Sequence, residues 1–78
     1  MTGYIIAVVM FWANPADVPL NDAIEIETYK GKPLFFQTQR ECVKYVDDNI
    51  RMLKEFGLSS FPTADAVKTI YCAKRTKI

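Results

Sequence analysis

Histidine is absent from the sequence. Its absence excludes a serine–histidine or cysteine–histidine nucleophile pair and every histidine metal site. Glycine is scarce, standing only at positions 3, 31 and 57, so there is no glycine-rich loop to cradle a phosphate. Two cysteines are too few for a disulfide scaffold. No apolar run approaches the roughly 20 residues that cross a bilayer; Tyr4–Ala13 is the most apolar stretch, at ten residues. Neither sign of charge dominates. Ten bases against nine acids leave +1, too little to steer a polyanion globally.

What is present is a chain of 78 residues, half of them hydrophobic and 13% aromatic. Disordered chains are poor in such residues, so a folded domain over residues 1–78 is expected. A chain this short buries roughly 60–65% of its unfolded surface, and small domains of this kind often gain stability from a bridge or a second subunit. The charge is unevenly spread. Residues 1–30 carry Asp17, Asp22, Glu25 and Glu27 against Lys30 alone, while the end of the chain carries Lys68, Lys74, Arg75 and Lys77.

Tyr4–Trp12 is β-branched and aromatic, and it stops at Asn14-Pro15. It reads as a strand. No Lys or Arg precedes it and no small-x-small cleavage site follows, so it is expected to belong to the mature fold of a cytoplasmic protein without membrane attachment. Alternation puts Tyr4, Ile6, Val8, Met10 and Trp12 on one face and Ile5, Ala7, Val9 and Phe11 on the other. Both faces are apolar. A second strand is expected over Ala23–Lys30, where Ile24 and Ile26 alternate with Glu25 and Glu27. Lys30-Gly31-Lys32-Pro33 is a turn by composition, and Leu34–Phe36 a short third strand.

Thr38 and Glu41 have capping-box spacing. Val43, Val46, Ile50 and Leu53 follow at helical steps, opposite Lys44, Asp47, Asp48, Arg51, Lys54 and Glu55. The pattern predicts one helix over Gln39–Phe56, ended by Gly57 in a left-handed conformation. Ala66–Ala73 is a last strand whose face assignment is ambiguous: Val67, Thr69 and Tyr71 alternate with Lys68, Ile70 and Cys72. The order strand, strand, short strand, helix, strand predicts an α+β fold, a small antiparallel-rich sheet of three or four strands with one amphipathic helix packed on one face.

One helix covers one face of such a sheet. The other face of the first strand then needs a cover: the loops at 13–22 and 57–65, with Val18, Leu20, Leu58 and Phe61, or a partner. The reading adopted is a non-enzymatic protein-interaction module, either a homodimer or a small protein bound to a larger target. Its candidate interface is Tyr4, Ile6, Val8, Met10 and Trp12, because Trp, Tyr and Met suit interfaces. A second reading is nucleic-acid binding through Lys68, Lys74, Arg75 and Lys77 with aromatic residues of the sheet stacking on bases. Size alone adds a third, an inhibitor of a host protein of the kind phages and mobile elements encode. No metal, cofactor or small-molecule substrate is implied. Cys42 and Cys72 are expected to be small buried thiols, with a disulfide between them as the alternative.

Overall fold

A computed structural model describes residues 2–76. The fold is α+β, as the element order implies. A three-stranded antiparallel sheet has the order β2-β1-β5, with β1 at Thr2–Phe11, β2 at Ala23–Ile26 and β5 at Ala66–Thr76. The long apolar first segment takes the central position, where both of its neighbours are strands. Two two-residue strands, β3 (Thr28–Tyr29) and β4 (Lys32–Pro33), form a small separate hairpin. Its turn places Lys30 and Gly31 at φ 51° and 79°, the left-handed pair that a tight hairpin turn requires. The expected second strand is thus interrupted at Glu27, whose carbonyl accepts from the N–H of Leu34 at 2.8 Å. Leu34–Phe36 is not a third strand. Instead Phe36 forms an isolated bridge, exchanging two backbone hydrogen bonds with Tyr4.

The helical region is two helices rather than one: α1 at Gln39–Asp48 and α2 at Ile50–Ser60. Thr38 caps α1, its Oγ1 accepting from the N–H of Glu41 at 3.2 Å. Asn49 breaks the run at φ −123° and ψ 23°. Its side-chain N–H donates to the Tyr45 carbonyl at 2.9 Å, and such a local bond competes with regular helix. Gly57 does not end the helix. It lies buried inside α2, where a Cβ would stand 2.9 Å from Val8 Cγ1 and 3.0 Å from Met10 Sδ. The missing side chain lets α2 descend onto β1.

That close approach decides the faces of β1. Ile6, Val8, Met10 and Trp12 lie under the helices with Ile26, Leu34, Cys42, Val46 and Leu53, and Tyr4 packs against the same cluster. The residues expected to form an interface are therefore the core. Trp12 closes its end, donating from Nε1 to Thr63 Oγ1 at 3.1 Å and meeting Phe61 edge-on at 5.7 Å. The ambiguity of the last strand is resolved by a bulge. Val9 pairs with Thr69 but Met10 pairs with Val67, so Lys68 is the extra residue. The parity changes there, and Val67, Ile70 and Cys72 all pack towards the helices. Cys42 and Cys72 are joined by a disulfide, Cα to Cα 6.1 Å, which fastens α1 to β5 and replaces the expected pair of thiols. No described helix is long and apolar enough to cross a membrane.

Candidate interaction surface

Two features of the sheet bear on partners: the face of β1 turned away from the helices and the outer edge of β5. Gly3, Ile5, Ala7, Val9 and Phe11 form that face of β1, flanked by Glu25 and Ala23 of β2 and by Arg75, Ala73, Tyr71 and Thr69 of β5. No helix lies on it, yet Ile5 and Ala7 are as buried as the helix-side core. The cover is local. Phe35 lies over Gly3, where a Cβ would stand 2.5 Å from the ring. Glu25 and Arg75 reach towards each other across β1 and form an ion pair. The loops weighed as the alternative to a partner do not supply it: Val18, Leu20 and Leu58 are exposed, and Phe61 packs on the helix side against Trp12. What stays open on this face is apolar and localised, with Phe11 and Tyr71 each 47% exposed.

The edge of β5 follows from hydrogen-bond parity. Tyr4 spends its N–H and carbonyl on Phe36, on the β2 side of β1. In an antiparallel ladder, residues alternate in the side to which their backbone groups point. Ile5, Ala7 and Val9 therefore bond to β5, where they pair with Ala73, Tyr71 and Thr69. Ile70, Cys72 and Lys74 point the other way. Among the described residues no strand pairs with that edge, and on its backbone the Lys74 carbonyl accepts from the Arg75 guanidinium at 2.8 Å. The sequence offered no sign of this edge, because strand order is invisible in local composition.

The helices add an apolar rim. Tyr45 turns towards Phe36, ring centroids 5.4 Å apart, and so marks the β2 side of α1. Val43 stands about 160° round the helix from it, on the β5 side, and is 44% exposed. Ile50 is placed likewise relative to Met52, which shares a shallow cleft with Tyr29, and is 39% exposed. Because Cys42 is tied to Cys72, this flank stands above the edge of β5.

The basic residues do not converge. Lys74 pairs with Tyr4 and shares its face, whereas Arg75 lies on the opposite face with Glu25. Lys68 sits at the bulge, and Lys77 lies outside the described residues. Tyr4, Tyr29, Phe36 and Tyr45 pack against the core. The chain matches no family model, no curated protein and no solved structure.

Proposed function

We propose that this chain is a small non-enzymatic protein-interaction module whose working surface is the outer edge of β5. The observation that carries the reading is an eleven-residue edge strand with outward groups on Ile70, Cys72 and Lys74. Such an edge is a template for a further strand, and proteins that do not use one blunt it. Here it is not shortened, its bulge at Lys68 lies near one end and leaves Thr69–Arg75 regular, and apolar side chains border it above and below, Val43 and Ile50 on the helices and Tyr71 on the sheet. The partner is a second copy or a strand of a larger protein. Less supports the nucleic-acid reading, since Arg75 is held by Glu25 and Tyr4, Tyr29, Phe36 and Tyr45 pack against the core, which leaves Phe11 and Tyr71 as the exposed aromatics of the sheet. The Cys42–Cys72 bridge favours an oxidising compartment and stands against the cytoplasmic expectation.

Proline at two neighbouring positions tests the edge. Lys74→Pro removes an N–H that points outwards, so the fold is expected to survive while association through the edge is weakened. Ala73→Pro removes an N–H bonded to β1 and is expected to unfold the sheet. Circular dichroism and solution mass read both effects. Unfolding of Lys74→Pro to the same extent as Ala73→Pro contradicts the reading, as does a folded Lys74→Pro variant that associates as the parent does.

A further inference from the structure

We infer that the partner is a second copy of this chain, paired antiparallel through β5 about a two-fold axis at Cys72; this rests on the edge reading above and names its occupant. Only residues with outward groups can form the hydrogen-bonded pairs of a new ladder. A register centred on Cys72 sets Cys72 opposite its own copy, and Ile70 opposite Lys74 in both directions. The three outward N–H groups of each copy then meet the three outward carbonyls of the other. The Lys74 carbonyl, which now accepts from the Arg75 guanidinium, has a second lone pair for this bond.

The side chains agree with that register. Arg75 falls opposite Thr69, and no two like charges stand opposite each other between Thr69 and Arg75. Centring on Tyr71 instead would set Lys74 against Lys68, a like-charge pair that costs stability. On the helix-free face, Tyr71 falls opposite Ala73 of the other copy. Two half-exposed rings thereby cover two small residues next to the axis.

The helix layer agrees as well. An axis perpendicular to the sheet places both α1 helices on one side, antiparallel. α1 packs on both β1 and β5. With strands about 4.8 Å apart, two helices so seated stand roughly 10 Å from each other, the ordinary spacing of packed helices. The disulfide brings the turn that carries Val43 closest to the axis. Val43 then meets its own copy, and Arg40 lies beside Asp47 of the other helix, opposite charges. Seven paired residues span about 24 Å. Across a molecule 22 Å thick, the two copies together bury roughly 1,000 Å², the lower limit for a specific interface. A dissociation constant on the order of micromolar is expected.

The experiment is solution mass from about 1 µM to 1 mM, without reductant, followed by an isotope-filtered nuclear Overhauser spectrum of mixed labelled and unlabelled protein. The inference expects monomer turning to dimer with rising concentration, and an intermolecular contact between the α-protons of Tyr71 and Ala73. Within one strand those protons are too far apart to give that signal. A monomer at 1 mM, or a dimer whose intermolecular contacts join other residues, overturns the inference. The edge reading fails separately, if Lys74→Pro unfolds as Ala73→Pro does, because then the Lys74 N–H is not free whatever the partner.

Discussion

Replacing Gly57 by alanine tests whether the helices lie on the Val8 face of β1, the arrangement on which the open edge and rim depend. In an ordinary helix interior the change stabilises by about 1 kcal/mol, because alanine loses less backbone entropy. Here the new methyl would stand 2.9 Å from Val8 Cγ1 and 3.0 Å from Met10 Sδ. Val8 is stiff at χ1 and fully buried on the central strand, so it has no free direction in which to yield. Overpacking of this kind costs about 1–3 kcal/mol. The net expectation is a loss of roughly 1 kcal/mol, or about 4–8 °C in melting temperature for a domain of this size. Urea unfolding followed by the fluorescence of Trp12, the only tryptophan and a buried one, measures it. A Val8→Ala background supplies the internal check. With the crowding methyls gone, Gly57→Ala is expected to become neutral or stabilising, a coupling on the order of 1–2 kcal/mol. A Gly57→Ala variant more stable than the parent, with no such coupling, would refute the close approach and the assignment of faces with it.

Two further outcomes are expected. Reducing the Cys42–Cys72 bridge, which closes a 30-residue separation, removes about 3.5 kcal/mol in the chain-entropy model; a urea midpoint unmoved by reductant would show that no bridge forms in solution. Gly3→Ala sets a methyl against the Phe35 ring and the Phe36 carbonyl, so about 1–3 kcal/mol is lost and Ile5 is uncovered; thermal melting checks it, and an unchanged melting temperature removes Phe35 from the cover of that face.

Much of the fold was legible because it is written in local patterns. The β-branched run of β1, the Thr38 cap and the Lys30-Gly31 turn each carry their own signal within a few residues. The faces were not legible. Both sets of β1 side chains are apolar, and which one the helices take is decided by the approach of Gly57 to Val8 and Met10, distant in sequence: in the sequence its glycine reads equally as a helix end or as a close approach. The last strand was ambiguous for a related reason, since the bulge at Lys68 shifts its period midway. The cover of Ile5 and Ala7 was hidden because Phe35 and the Glu25–Arg75 pair come from three separate segments. The candidate edge depends on strand order, a long-range property. Charge and aromatic counts drew attention to Arg75 and Tyr4 as binding groups, whereas one is paired and the other packed against the core.

Residue-resolved amide exchange along β5 tests the central claim most directly. In dilute monomer, the N–H groups of Ile70, Cys72 and Lys74 are expected to exchange rapidly while those of Thr69, Tyr71 and Ala73 are protected, an alternation that disappears as the protein is concentrated. Equal protection of all six in the monomer would show that the chain closes this edge itself.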